Sequence, residues 1–380
     1  MCAREHARPA TVAAQALGYV DAATGGIVPP VHPSTTYERD ASNRLLGGRL
    51  YSRADNPSYD HVEAVMTALE GGAASAVFAS GMGAATAVFL ALRPGDHVLA
   101  PRVIYWALRG WLVGWATAWG LRIEEVDMTR PAAVAAAARP GQTKLIWAET
   151  PANPTMAVSD ISALAEIARG AGARLAVDST FATPVHTQPL ALGADIVMHS
   201  ATKYLNGHSD VVAGTLTTRA EDDFWARAKA VRVQGGAVLG PFEAWLLLRG
   251  MRTLFVRVAA QSRSAQAIAE RLSGNPRLEA VLYPGLPGFD GHEVAARQMR
   301  GGFGGMMSIR VKGGAKAALA AMGRLRVWKR ATSLGGVESL VEHRASVEGP
   351  QSTTPPDLLR MSVGLEDTAD LIADVESALG

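Results

Sequence analysis

Short apolar segments alternate with helix-like segments along the first half of this chain, and this alternation most constrains its fold. Apolar runs typical of buried strands lie at 76–79, 97–100, 145–148 and 175–177. Helix-like segments lie between them at 84–92 and 161–169, the second with apolar residues at helical spacing behind Ser159 or Asp160 as a cap. This order favours a mostly parallel sheet with helices on both faces. We therefore predict an α/β fold, which places ligands at the carboxyl ends of its strands.

The composition excludes several classes of function. The 380 residues suit roughly two domains, and 48% hydrophobic with 19% charged residues suits a well-filled core. A net charge of +2 without a long basic run gives no reason to expect nucleic acid or a membrane surface as a partner. The only cysteine is Cys2, and the nine histidines lack metal-ligand spacing, so we expect no internal disulfide and no metal. We see no signal peptide and no apolar run of ~18 residues, and we expect a cytoplasmic protein.

A lysine with two nearby hydroxyls follows another apolar, strand-like stretch at 194–198. Ser200, Thr202 and Lys203 lie directly after it. The amine of a free lysine has a pKa of ~10.4 and is a poor nucleophile at neutral pH. In a closed pocket at a strand end it can bond covalently to an aldehyde. The two hydroxyls are suited to holding a phosphate nearby. Together they indicate the lysine that carries pyridoxal 5′-phosphate (PLP), and the alternative is a surface lysine after a buried strand.

Three other strand ends carry polar groups that fit the same interpretation. The turn at 80–82 opens a helix, where backbone N–H groups favour a phosphate, although glycine turns before helices are common. Asp178 could pair with a protonated pyridine nitrogen, or it could cap the next turn. Asn153, in a loop with two prolines, could hydrogen-bond a ring hydroxyl, or it could stabilise the turn.

These segments resemble the Cys/Met-metabolism family of PLP-dependent enzymes, also called the trans-sulfuration family. The family includes cystathionine γ-synthase, cystathionine γ- and β-lyases, methionine γ-lyase and O-acylhomoserine sulfhydrylases. The matching motifs run nearly end to end, at 51–53, 56–57, 80–82, 149–154, 177–184, 199–206, 241–250, 283–286, 302–307, 333–340 and 359–364. The resemblance implies fold type I, with an N-terminal segment at 1–50 that contributes to a neighbouring subunit, a PLP-binding domain at 51–242 and a smaller C-terminal domain at 243–380.

The resemblance also assigns roles to the cofactor-binding residues. Lys203 would hold PLP and shuttle protons between substrate carbons, and Asp178 would pair with the pyridine nitrogen. The phosphate would be bound by the backbone amides of Gly81 and Met82, by the hydroxyls of Ser200 and Thr202, and by Tyr51 and Arg53 of a neighbouring subunit. Such shared active sites imply a homotetramer built from two dimers.

Four further residues would act on the substrate. Tyr105 matches the tyrosine that stacks on the cofactor ring and assists the leaving group. Arg360 matches the arginine that holds the substrate α-carboxylate. Ser333 and Thr332 lie where the family positions the substrate.

Several departures from the family pattern leave the substrate open. Trp106 to Arg109 replace a Gly-Gly-Thr that usually follows the tyrosine, Thr332 replaces a Glu of many cystathionine enzymes, and Arg344 replaces a Pro. We expect Arg109 or Arg344 to add positive charge if either faces the pocket. Trp111, Trp115 and Trp119 recur every four residues, which favours packing or a subunit contact over a substrate cage.

The chain is therefore expected to act at the β- or γ-carbon of a sulphur-containing or homoserine-derived amino acid. Replacement of the cystathionine γ-synthase type ranks slightly ahead of cleavage of cystathionine, methionine or a related γ-substituted amino acid such as canavanine. A non-enzymatic regulator with a PLP fold is one competing hypothesis, and the intact set of Lys203, Tyr105 and Arg360 argues against it. An aminotransferase is another, and the motifs at 51–53 and 333–336 argue against that.

Overall fold

The structure, a computed structural model, describes residues 7–349 and 352–380. Its helices are α1 Pro9–Gln15, α2 Pro57–Glu70, α3 Gly81–Leu90, α4 Trp106–Trp111, α5 Thr117–Trp119, α6 Pro131–Ala137, α7 Ile161–Ala171, α8 Thr183–His186, α9 Asp223–Gly235, α10 Pro241–Met251, α11 Leu254–Leu272, α12 His292–Gln298, α13 Gly314–Arg324, α14 Arg344–Glu348 and α15 Thr368–Leu379. Its strands are β1 Ala74–Phe78, β2 His97–Pro101, β3 Arg122–Val126, β4 Thr143–Glu149, β5 Arg174–Asp178, β6 Ile196–His199, β7 Gly214–Thr218, β8 Leu278–Leu282, β9 Met306–Val311, β10 Lys329–Arg330, β11 Leu340–His343 and β12 Leu358–Ser362.

The described residues form two compact units. Unit 1 comprises those up to Arg93 together with Asp195–Phe255, and unit 2 comprises those within Pro94–Ala194 and Val256–Gly380. These groups do not follow the domain boundaries expected at 51, 242 and 243, which stay a prediction.

Unit 1 contains three strands and the helices that pack on them. β7 lies between β1 and β6 and is antiparallel to both. α2 begins at Pro57, where the side chain of Asn56 accepts the N–H of Ser58, and ends before Gly71 at a φ of 67°. Capping by asparagine and a left-handed glycine at the end are the usual helix signals. α2 packs against β1 and α10, and α3 packs against α9 and β7.

Unit 2 contains four parallel strands in the order β5-β4-β2-β3. Most residues of β2, β4 and β5 are buried, as expected for parallel strands covered by helices. The strands predicted from the four apolar runs are confirmed as β1 of unit 1 and as β2, β4 and β5 of unit 2. The helices predicted near 84–92 and 161–169 are confirmed as α3 and α7. α7 packs against β4 and β5, and its cap is Asp160, which accepts the N–H of Ala163.

Unit 2 also contains a second sheet, with strand order β10-β11-β12-β9-β8. β12 is antiparallel to β11 and β9, and Glu342 on β11 lies opposite Arg360 on β12. Apolar side chains of α11, α13 and α15 pack on this sheet around the buried Trp328 and Tyr283. Within the described residues, no helix has the length and apolar character needed to cross a membrane.

Candidate active site

In unit 1, the loop that follows β6 carries Lys203 and is held by its backbone. The Lys203 N–H donates to Ser200 O at 3.1 Å, and Lys203 O accepts the N–H of Gly207 at 2.7 Å. The Thr202 hydroxyl donates to Ala213 O at 3.1 Å and accepts the Ala213 N–H at 3.0 Å. Lys203 is therefore partly buried in a tight turn at the carboxyl end of a strand.

The start of α3 lies against the same loop. Ser80 Oγ accepts the N–H of Gly83 at 3.0 Å, while the N–H groups of Gly81 and Met82 have no hydrogen-bond acceptor in the described part of the chain. A Cβ on Gly81 would lie 2.7 Å from Ser200 Oγ, so glycine is needed for this close approach. Free amide N–H groups beside a serine hydroxyl form an arrangement that favours a bound anion.

Also in unit 1, Tyr51 and Arg53 lie next to each other on the surface of the protomer. Tyr51 forms an antiparallel bridge with Thr36, and the Arg53 guanidinium carbon lies 5.7 Å from the centre of the Tyr51 ring. Both side chains are exposed. This exposure is compatible with the predicted contact to a neighbouring subunit, which stays a prediction.

In unit 2, two buried carboxyl groups lie side by side where β4 and β5 end. Glu149 is in register with Asp178. Asp178 Oδ1 accepts the N–H of Thr180 at 3.0 Å and its hydroxyl at 2.6 Å, while Glu149 accepts the N–H groups of Tyr105 and Asn153, each at 2.8 Å. Burial first, and the charge of Asp178 second, raise the pKa of Glu149 to about 8. Glu149 therefore holds a proton over most of the neutral range.

Arg360 is buried in unit 2 with only 4% of its surface exposed. Its Nη2 donates to Ser333 O at 3.0 Å and to Glu342 Oε2 at 2.7 Å, and its Nη1 donates to Asn153 Oδ1 at 3.2 Å. Burial lowers the pKa of Arg360 to about 10, against the opposing charge of Glu342, so the group stays charged at neutral pH. Its Nε–H and one Nη1–H have no acceptor in the ranges 7–349 and 352–380.

Glu342 connects Arg360 to a buried network of charges. It accepts the Thr332 hydroxyl at 2.6 Å and Arg344 Nη1 at 2.7 Å. Burial opposes its ionisation, but Arg360, Thr332 and Arg344 outweigh burial and hold the pKa of Glu342 below its usual value. Arg344 also pairs with Glu348 at 2.9 Å. Arg344 is thus buried and balanced by two carboxylates, so its charge is already compensated.

The residues around the predicted ring tyrosine are more open. Tyr105 is 43% exposed and precedes α4, whose first residue, Trp106, is 46% exposed. Arg109 on the same helix pairs with Glu125, with Nε 2.7 Å from Oε1. Trp106 is therefore exposed directly after Tyr105, and the bulkier pocket wall stays a prediction. The charge of Arg109 is compensated by a carboxylate.

The three tryptophans at four-residue spacing stack on one another. The rings of Trp111 and Trp115 are 5.2 Å apart, and those of Trp115 and Trp119 are 5.8 Å apart. The segment Leu112–Ala116, which includes Trp115, is a turn of π-helix. Packing among the rings thus accounts for the stripe, and a subunit contact stays a prediction.

The structure therefore groups the predicted residues in two sets. Unit 1 brings Gly81, Met82, Ser200, Thr202 and Lys203 together, and unit 2 connects Asn153, Thr332, Ser333 and Arg360 in one hydrogen-bonded network, with Tyr105 and Asp178 next to Glu149.

Sequence reasoning gave no role to four buried residues that support these sets. Glu149, at a strand end within the motif 149–154, could have been given one by the rule that selected Asp178. Glu342 gave no signal, because its partner is set by strand register. Behind the Lys203 loop, His199 Nε2 lies 2.6 Å from Glu70 Oε1, and both residues are fully buried.

The chain is a PLP-dependent enzyme with an α/β fold of type I. It belongs to the Cys/Met metabolism family of these enzymes, because a sequence model of that family matches residues 10–380. The predicted family, fold class and cofactor are confirmed.

Two curated enzymes and one crystal structure are similar to the chain over nearly its whole length. The chain is 46% identical to the cystathionine gamma-synthase of Mycobacterium bovis, over 98% of this chain and 97% of that protein. It is 40% identical to the L-methionine gamma-lyase of Porphyromonas gingivalis, over 95% and 94%. The crystal structure of cystathionine gamma synthase from Xanthomonas oryzae pv. oryzae in complex with cystathionine superposes with a TM-score of 0.93 at 37% identity, covering 98% of each chain.

Proposed function

We propose that this enzyme performs γ-replacement on an O-acylated homoserine, with the thiol of cysteine as the nucleophile. The C–O bond at the γ-carbon breaks first, and the acyl group leaves as a carboxylate. The sulphur of cysteine then forms a C–S bond at the same carbon and gives up its proton. The observation that supports this proposal is the state of Arg360. Its guanidinium is buried, and its Nε–H and one Nη1–H are still available, which suits the α-carboxylate of an amino acid. Identity of 46% to a cystathionine gamma-synthase, against 40% to a methionine gamma-lyase, supports replacement over cleavage.

The residues of each unit fit the part of PLP that the resemblance assigns to them. The available N–H groups of Gly81 and Met82, beside Ser200, suit a phosphate. Asp178 suits a protonated pyridine nitrogen, since its neighbour Glu149 is neutral over most of the neutral range. Thr202 shares this loop, but its hydroxyl would have to turn from Ala213 O to donate to a phosphate.

Each remaining residue has a separate task in the proposed reaction. When bound, PLP supplies an electron-withdrawing ring that stabilises negative charge at the substrate α-carbon. The amine of Lys203 would take and return protons at the substrate carbons, and Tyr105 would stack on the ring and assist departure of the acyl group. Arg360 orients the amino acid, while Ser333 and Thr332 hold the wall around it. Asn153 accepts a hydrogen bond from Arg360 and would contact the ring hydroxyl.

The assembly in this proposal is a homotetramer of two dimers with shared active sites. Tyr51 and Arg53 complete the phosphate site of the neighbouring subunit, and their exposure in the protomer supports this role. The cytoplasm is the proposed location, because a chain with one cysteine makes no internal disulfide.

The test compares kcat/KM for O-succinylhomoserine plus cysteine with kcat/KM for cleavage of cystathionine and of methionine. Cystathionine and oxo acid products are measured in the same reactions. We expect the replacement reaction to be fastest. Cleavage, the second candidate, is supported by the methionine gamma-lyase relative, and a clear preference for it would overturn the ranking.

A further inference from the structure

Behind the Lys203 loop of unit 1, a buried acid and a buried histidine form one close contact. His199 is the last residue of β6, and Glu70 is the last residue of α2. His199 Nε2 and Glu70 Oε1 lie 2.6 Å apart, and each residue is only 1% exposed. The pair therefore joins the end of a strand to the end of a helix, directly before Ser200.

Stability alone gives no reason for an ionisable pair at this position. Glu70 Oε2 and His199 Nδ1 are buried and make no hydrogen bond with any described residue. Both side chains lose their hydration on burial, and an apolar pair of similar volume is often as stable or more stable. A short hydrogen bond between ionisable groups, however, fixes a distance and a direction that an apolar contact leaves loose. The pair is therefore suited to fixing the path of the chain where β6 ends.

A second attachment of the loop comes from the chain at the start of β7. The N–H and the hydroxyl of Thr202 both donate to Ala213 O at 3.1 Å, and Thr202 Oγ1 accepts the Ala213 N–H at 3.0 Å. His199 is in register with Thr215 on β7. The loop is thus held at its first turn by β7 and at the residue before it by Glu70. These two attachments together determine where Lys203 lies.

We propose that Glu70 and His199 are positioning residues, which hold the Lys203 loop in the geometry that receives PLP before the cofactor binds. Fixing His199 fixes where the chain leaves β6, and the hydroxyl proposed to bind the phosphate follows at Ser200. The amine of Lys203 has to reach the aldehyde of the same PLP molecule, so the two groups must be placed together. This inference rests on the proposed role of Lys203 and not on which amino acid reacts.

The experiment separates positioning from simple support of the fold. The holoenzyme is dialysed against graded concentrations of PLP, absorbance gives the dissociation constant, and urea unfolding gives the midpoint. Glu70→Leu should lower both the urea midpoint and the PLP affinity, because a buried histidine then lacks its partner. Glu70→Leu with His199→Leu should recover the urea midpoint, since an apolar contact replaces the pair. Its PLP affinity should stay about tenfold below that of the wild type, the size of one misdirected charged hydrogen bond.

Two further variants serve as controls. Thr215→Val removes a buried hydroxyl beside His199 that makes no hydrogen bond with any described residue. It should leave the PLP dissociation constant unchanged. His199→Gln keeps an N–H that can donate to Glu70, and it should recover much of the PLP affinity that His199→Leu loses.

Hydrogen exchange in the wild type tests the inference without any variant. The amides of Thr202, Lys203 and Gly207, which all donate within unit 1, are followed with PLP bound and after PLP is removed from the full chain. Because the pair is present in both states, these amides should already be protected without PLP. Protection that arises only with PLP would show that the cofactor orders the loop, and the inference would be overturned.

Wild-type PLP affinity in the folded double variant would overturn it as well, because the pair would then only support the fold. If the double variant does not fold, the exchange measurement decides. A pyridoxyl label on another lysine would reject the proposed role of Lys203, and the exchange would still show whether the loop is ordered in advance. Failure of the replacement reaction alone would leave the PLP affinities and their interpretation unchanged.

Discussion

Glu149 is a carboxylic acid buried beside the carboxylate of Asp178. Its protonation should make the free energy of unfolding depend on pH. Its pKa rises from 4.5 to about 8 in the folded chain, so folding strengthens its hold on the proton. The stability linked to that proton is present below about pH 4.5 and is lost as the pH rises towards 8. Glu149→Gln should therefore flatten the fall in the free energy of unfolding between about pH 5 and pH 8.

The same substitution should cost about 1 kcal/mol at pH 5, where the acid is protonated. Glu149 accepts two N–H groups, from Tyr105 and Asn153, and a glutamine side chain has one carbonyl oxygen to offer them. Urea unfolding at several pH values measures both effects. Equal pH slopes in the two proteins would contradict the raised pKa.

Lys203 is the residue on which the cofactor assignment depends. The purified protein should be yellow, and borohydride reduction followed by peptide mapping should place the pyridoxyl group on Lys203. Lys203→Ala should lose the covalent label and lower activity by about 10²- to 10⁴-fold, the usual range for an acid–base group. A label on another lysine would show that the loop after β6 has a different role.

Among the structural elements, the pairing of β11 with β12 positions Arg360, the proposed ligand of the substrate α-carboxylate. Register alone places Glu342 opposite Arg360, and α14 then brings Arg344 back to the same carboxylate. Arg344→Met would leave Glu342 with one cation and Glu348 with none. Removing one partner of a buried pair costs about 3–5 kcal/mol, so we expect a loss of that size in the free energy of unfolding.

The same change should raise KM for the amino acid more than it lowers kcat, because Glu342 can then turn fully towards Arg360. Arg344→Met with Glu348→Gln should recover part of the stability. Arg297→Gln is the control, because its pair with Asp160 is largely exposed and should contribute about 1 kcal/mol or less. Unchanged stability in Arg344→Met would mean that the network is relaxed in solution.

Sequence periodicity explains why the strands and helices of unit 2 were predictable. It does not predict the charge network of Glu342, Arg344 and Arg360. The apolar runs of β2, β4 and β5 and the amphipathic pattern of α7 are local signals, and the structure confirms them. Residues at strand ends, such as Asp178, could be selected because parallel strands end at one edge. The antiparallel β7 and the Glu342–Arg360 pair depend on which strands become neighbours, which is a non-local choice without a local sequence signal.

At the scale of the whole molecule, the proposed assembly has active sites shared between two subunits. The side chains of Tyr51 and Arg53 are both exposed, and the Arg53 guanidinium lies over the Tyr51 ring. If they bind the phosphate of a neighbouring subunit, neither Arg53→Ala nor Lys203→Ala protein alone has an intact site. A symmetric dimer would use the same contact twice.

Mixing the two variants therefore tests the assembly. In a hybrid dimer, one site combines Lys203 of the Arg53→Ala chain with Arg53 of the Lys203→Ala chain, and the other site loses both. Random mixing at equal amounts makes about half of the dimers hybrid, so about a quarter of wild-type activity should return. The measurement is activity after unfolding and refolding together, with the separately refolded variants as controls and light scattering to establish the mass. Full activity in a verified monomer, or no recovery in verified hybrids, would reject a shared site, because each chain would then hold its cofactor alone.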